Sequence, residues 1–185
     1  LTQNVFENLQ DTFSENNASE LDAVIIATKP DGVVAVAKQL SEYLNSKSLV
    51  VSIAAGIASS TIEAAIGDIP VVRAMPNLSA LIGESATAIC AGKFTETKHI
   101  DLAQQLLLAV GKVVVVEEEQ MNLVTAISGS GPAYFFLLTQ YLIESGVAGG
   151  LDYETARTLV EQTLLGAAKT LSMGSDTVEV LRSKV

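Results

Sequence analysis

From Asp22 to Val116, short runs of apolar and often β-branched residues alternate with amphipathic segments of helical period. Such alternation predicts a parallel α/β sheet. The strand-like runs are AVIIA (23 to 27), LVVSI (49 to 53), VVRAM (71 to 75) and KVVVV (112 to 116). Each is continuously apolar, which predicts interior strands covered by helices on both faces. Between them, Ser60 with Glu63 reads as a capping box for a helix stopped by Gly67, and Thr95 opens a helix that ends at Gly111.

After Glu117 the pattern changes. No strand-like run follows, and Tyr134, Leu137, Leu138, Tyr141 and Leu142 recur at helical spacing. Pro132 suits the first turn of that helix. Another helix is expected from near Asp152 to about Leu171, and Asp176 with Glu179 reads as the cap of a last one. The chain is therefore expected to hold an α/β domain over residues 1–117 and an all-helical domain over residues 118–185. Leu164, Leu165, Ala167, Ala168 and Leu171 leave one helix little polar surface. A homodimer through the helical domain would cover them, and packing on the chain's own first domain is the other solution.

Composition narrows the function classes. The 185 residues suit one or two domains, and their 49% hydrophobic content suits a globular chain. A formal net charge of -10 with no cluster of Lys and Arg argues against nucleic-acid and anionic-lipid partners. The single cysteine, Cys90, lies in the apolar stretch ATAICA and reads as a core thiol, without a disulfide framework or zinc spacing. A reducing compartment follows. No apolar run approaches the roughly 20 residues of a membrane span, and LTQNVFENLQ does not read as a signal peptide, so a cytoplasmic location is expected. The chain begins without an initiator methionine and stops on a charged helical stretch, which suggests missing residues at one or both ends.

Three segments place small residues where a strand ends, the edge at which open α/β sheets bind ligands. In ATKP, Ala27 permits close approach to the backbone and Pro30 turns the chain. Lys29 could meet a phosphate or a ribose hydroxyl, or simply be a solvated strand-end lysine. In SIAAG, Ala54, Ala55 and Gly56 offer backbone to a flat ligand, or pack a tight turn against a helix. In RAMPN, Pro76 and Asn77 favour a sharp turn. A fourth segment, SGSGPAY from Ser128 to Tyr134, is not a dinucleotide motif, because a third glycine and a preceding strand are absent. It reads as a close helix contact. Ser130 lacks the spacing of a nucleophile, and His99, the only histidine, reads as a helix surface residue with no acid to orient it.

Taken in order, ATKP, VVSIAAGI, VVRAMPN with LIGESATAI, ISGSGPAYFF, and LLGAAK with LRSKV resemble the pyrroline-5-carboxylate reductases over nearly the whole chain from Asp22 onward. The resemblance implies a Rossmann-like, mostly parallel sheet domain, here with its amino-terminal part missing, followed by the helical domain. It implies reduction of 1-pyrroline-5-carboxylate to L-proline by NADPH, with NADH as the alternative. By the same resemblance Ala27, Thr28, Lys29 and Pro30 line the cofactor pocket, and Ile53, Ala54 and Ala55 meet its nicotinamide end, with Ala55 also at the substrate. Glu118 matches an acid near the bound amino acid, where it would orient substrate, and Lys184 matches a residue close to the cofactor.

Several departures stand beside the match. The family's opening G-x-G-x-x-G turn is absent, as is the Ser-Pro-Gly-Gly-Thr-Thr loop that would follow Val185 and hold the substrate carboxylate. The link from Phe13 to Asp22 is short for the family's strand there, and Ser14 falls near a usual asparagine. Leu78 and Ser79 replace a usual Thr-Pro. Two alternatives to the reductase remain at this stage. One is a hydroxyacid dehydrogenase, for which Lys169 is the only interior lysine candidate. The other is a non-catalytic dimerisation or binding protein derived from the family.

Overall fold

A computed structural model describes residues 21–185, so the expectations at Phe13 and Ser14 lie outside the described residues. The chain divides into two compact units, Leu1–Pro132 and Ala133–Val185.

In the first unit, β1 (Ala23–Ile26), β2 (Leu49–Ser52), β3 (Val71–Met75), β4 (Ser85–Ala91) and β5 (Gly111–Val115) form one sheet in the order β1-β2-β3-β4-β5. The pairs β1–β2, β2–β3 and β4–β5 are parallel, whereas β3–β4 is antiparallel. All four expected strands are present. The unforeseen one is β4, SATAICA, whose small and hydroxylated residues lack a β-branched run. Ser85 and Thr87 are nevertheless buried, because their hydroxyls bond each other at 2.9 Å. A short 3-10 turn, Leu78–Ile82, and Gly83 reverse the chain before β4, so no crossover helix intervenes.

Successive strand residues point to opposite faces. On one face Val50 and Val71 pack with Val33, Ala37 and Leu40 of α1 (Val33–Leu40) and Ile62 and Ile66 of α2 (Ser59–Ile66). On the other, Val51, Val72 and Ile89 pack with Ala103 and Leu107 of α3 (Thr97–Leu108). Full burial of each Val, Leu or Ile among these favours folding by about 1.5 to 3 kcal/mol. The expectation of interior strands fails for β1 and β5. Both lie at the edges of the described sheet, leaving Ile25 48% and Val114 58% exposed.

Two predicted caps are also different. Ala58, not Ser60, is the N-cap residue of α2, and Glu63 instead accepts a hydrogen bond from the Lys93 amide at 2.6 Å. At α3 the capping box is formed by Glu96 and His99, and the Glu96 amide donates to His99 Nδ1 at 2.9 Å. His99 is therefore buried rather than a surface residue.

After β5 the chain turns at Glu118–Gln120 and continues as α4 (Met121–Val124), a π-helical turn (Thr125–Gly129) and α5 (Gly131–Ala148). No strand occurs in 118–185, and Pro132 stands in the first turn of α5, both as the pattern predicted. The compact boundary at Pro132 leaves 118–132 with the sheet unit. In the second unit α6 (Tyr153–Met173) starts where Asp152 accepts from the Thr155 amide at 3.0 Å. The last helix, α7 (Val178–Ser183), is capped by Thr177, while the expected cap Asp176 pairs with Lys184. Along α5, Phe135, Phe136, Leu138 and Tyr141 are exposed. By length and composition the stretch Glu118–Ala148 is apolar enough to cross a membrane. Ser, Thr, Gly and Gln interrupt its apolar positions, so it holds no continuous apolar run of about 20 residues. Coverage by another protein surface would suit the same composition.

Candidate functional site

The row Ile26, Ser52, Arg73 and Cys90 runs across the sheet in register. Immediately beyond it, ATKP leaves β1 and SIAAG leaves β2, side by side, because the two strands are parallel neighbours. The Ile53 amide donates to the Ile26 carbonyl at 3.1 Å, tying the two exits together. Ala27, Thr28, Lys29 and Pro30 are all exposed, and Pro30 opens a 3-10 turn. Ile53 is half-buried and Ala54 buried, with the Ala54 amide on Ser52 Oγ at 3.4 Å, whereas Ala55 and Gly56 are exposed. Gly56 adopts φ 75°, a left-handed conformation that a side chain would strain, and open space lies where its Cβ would be. Seven of the assigned residues thus lie together where β1 and β2 end.

Glu118 is held from three directions. Its carboxylate accepts from the Ser59 amide at 2.7 Å, from the Ser59 hydroxyl, and from Arg73 Nη1 at 3.3 Å. Arg73 is 5% exposed. Burial works to raise the Glu118 pKa, but the Ser59 hydrogen bonds and then Arg73 outweigh it, and the carboxyl is held below its ordinary range. The carboxylate is therefore committed to protein donors, and the expected role of orienting substrate must share it with a structural one. Beside Arg73, burial first and the Glu118 charge second push the Cys90 thiol up to about 11.

From Glu118 the chain passes over β4, with further contacts at the end of β3. Met121 packs on Ala88 and Cys90, Gly129 lies against the Met75 side chain, and the Asn77 amide donates to the Ser128 carbonyl at 3.1 Å. The other end of Asn77 accepts from the Ser79 amide at 3.1 Å, so one side chain joins the MPN turn to the π-helical turn. Of the two glycines of SGSGPAY, only Gly129 makes a close contact, and it is with a strand residue rather than with a helix, while open space lies at the Cβ position of Gly131. Lys184, by contrast, belongs to the second unit, where it pairs with Asp176.

The sequence reading missed the roles of Arg73, Ser59 and Asn77. A signal for Arg73 was present, since one cation within an otherwise apolar strand requires a buried partner. None pointed to Ser59, which meets Glu118 from 59 positions away in sequence.

Sheet, turns and helical extension define a Rossmann-like α/β chain with a helical region after it. The family model for pyrroline-5-carboxylate reductase dimerisation matches residues 118–185. A pyrroline-5-carboxylate reductase of Bacillus spizizenii is 41% identical over 90% of this chain and 56% of its own length. The structure of one from Coxiella burnetii superposes with a TM-score of 0.85 at 38% identity, covering 90% of this chain and 63% of that one. A Plasmodium falciparum pyrroline carboxylate reductase, whose structure has NADP bound, gives 0.82 at 30% identity, covering 91% of this chain and 64% of that one. This chain belongs to the pyrroline-5-carboxylate reductase family. It spans a little over half the length of the Bacillus relative.

Proposed function

We propose that the full-length protein reduces 1-pyrroline-5-carboxylate to L-proline, using NADPH, with NADH as the alternative. The observation that carries this reading is the 41% identity to a pyrroline-5-carboxylate reductase over 90% of the chain. The edge fits a nicotinamide. Ala27, Ala55 and Gly56 offer only backbone and methyl groups, and Gly56 leaves open space before it. When bound, the cofactor supplies the hydride that reduces the imine carbon, and a proton completes the amine.

In this reading Ala27 to Pro30 and Ile53 to Ala55 bind the cofactor, Ala55 and Glu118 approach the substrate, and Lys184 lies near the cofactor. The chain's contribution is orientation, which is worth several kcal/mol, up to about 10. Among the described residues no metal-binding group of three or more His, Cys, Asp or Glu occurs, and none is required by this chemistry. The helical region forms a homodimer, supported by the match to the dimerisation model and by the exposed apolar residues of α5. A cytoplasmic setting belongs to the same reading.

The test follows NADPH absorbance with the imino acid and full-length protein. Cofactor oxidation that depends on the imino acid, with proline as product, is expected. An inactive full-length protein that still binds NADP+ would overturn the reductase reading.

A further inference from the structure

Arg73 and Ser59 have no assigned role, yet both are buried and both end on the same carboxylate. Their placement matters because of what is attached to them. The turn from Ile53 to Ala58 is anchored at its first end by β1 and β2, through Ile53 on Ile26 and Ala54 on Ser52. Its other end runs directly into α2, whose N-cap residue, Ala58, has no side-chain hydrogen bond to offer. The missing cap is supplied from elsewhere in the chain. Glu118 receives the Ser59 amide and hydroxyl, and so provides the anionic partner that a helix amino end favours. Arg73, fixed in the middle of β3 between Ser52 and Cys90, holds the same carboxylate from below.

We infer that Arg73 and Ser59 are positioning residues for hydride transfer: through Glu118 they fix the far end of the Ile53–Ala58 turn, and with it the surface that receives the nicotinamide. This rests on the reductase reading. The physical basis is the sensitivity of such a transfer to distance, since a displacement of about 1 Å costs on the order of 100-fold in rate. A turn anchored at one end only would sample such displacements. The phosphates of a dinucleotide are held mainly by other groups, so loosening this turn should spare cofactor affinity and reduce turnover.

The experiment uses the full-length protein with Ser59→Ala and Arg73→Lys, changes that keep the charge balance and hence favour folding. Each variant is titrated with NADP+ to count competent sites. Its kcat with the imino acid is then measured with NADPH and with NADPH deuterated at the transferring position, well below the melting temperature. The expected result is a 5- to 50-fold fall in kcat per competent site, on the order of a sub-ångström to ångström displacement. The Kd for NADP+ should stay within about 3-fold, and the isotope effect should rise as the chemical step becomes limiting. Unchanged kcat in both variants, or a loss fully explained by fewer competent sites, would overturn the inference alone. If the wild-type protein binds NADP+ but does not reduce the imino acid, the reductase reading falls, and this inference falls with it.

Discussion

At the residue scale, Glu118 carries consequences that its sequence position conceals. Replacing it by Ala leaves the Ser59 amide and hydroxyl and the buried Arg73 without their partner. We expect a loss of about 2 to 4 kcal/mol in urea unfolding of the full-length protein, because unsatisfied buried groups bear their desolvation cost. A purely substrate-orienting role would leave stability unchanged, so the midpoint distinguishes the two. His99 gives a second prediction. Its Nδ1 accepts from the Glu96 amide, which requires the neutral imidazole. Burial first, and then the charge of Lys98, lower its pKa in the fold. The unfolded chain therefore takes up the proton first. His99 contributes its full stabilisation above the ordinary histidine value of about 6.5, and that contribution is lost as pH falls through the folded pKa. Between pH about 7.5 and 5.5 the wild type should lose more stability than His99→Asn, whose side chain still accepts without protonation; equal slopes in thermal melts would refute this. Both residues were visible in the sequence, but their partners were not. Burial of His99 and capture of Glu118 depend on tertiary neighbours that local pattern does not encode.

At the element scale, four strands and the long helices were legible because apolar period alone specifies them. The strand β4 was not, since its buried positions include Ser85 and Thr87, which hide each other's hydroxyls. The junction of β4 with β5 is tighter still. At Gly111 the backbone has φ 147°, and a Cβ would lie 2.1 Å from the Ser85 carbonyl oxygen and 2.3 Å from its amide nitrogen. Those atoms are backbone and cannot move aside without disturbing both strands. Gly111→Ala should therefore cost upwards of about 3 kcal/mol and sharply lower the yield of folded protein. Gly166, inside α6 with nothing within 4 Å of its Cβ position, is the control. There Ala should stabilise by up to about 1 kcal/mol from helix propensity. Circular-dichroism melts of the two variants should shift in opposite directions.

At the scale of the whole molecule, the division into a sheet-bearing part and a helical part was legible from the change of period after Glu117, whereas the compact boundary falls later, after Pro132. The difference arises because 118–129 packs on the sheet unit by contacts at Arg73, Met75, Asn77, Ala88 and Cys90 that no local signal announces. A dimer formed through the helices should appear as twice the chain mass by light scattering at micromolar concentration. Leu171→Glu, exposed on the apolar side of α6 at helical spacing from Leu164 and Ala168, should shift it toward the monomer by placing a charge in the covered surface. Cys90 offers a different kind of reading. Its thiol is 1% exposed and is held near 11, so in the closed sheet it has neither access nor thiolate with which to react. Once the sheet opens it becomes an ordinary thiol. The rate at which an alkylating reagent marks Cys90, located by peptide mapping and divided by the rate for the denatured chain, is then a clock for opening events. Under conditions where closing outpaces labelling, that ratio gives the opening free energy of the sheet directly. Bound cofactor should slow the clock in proportion to its occupancy, which turns a residue with no part in the chemistry into a gauge of every ligand that holds the sheet shut.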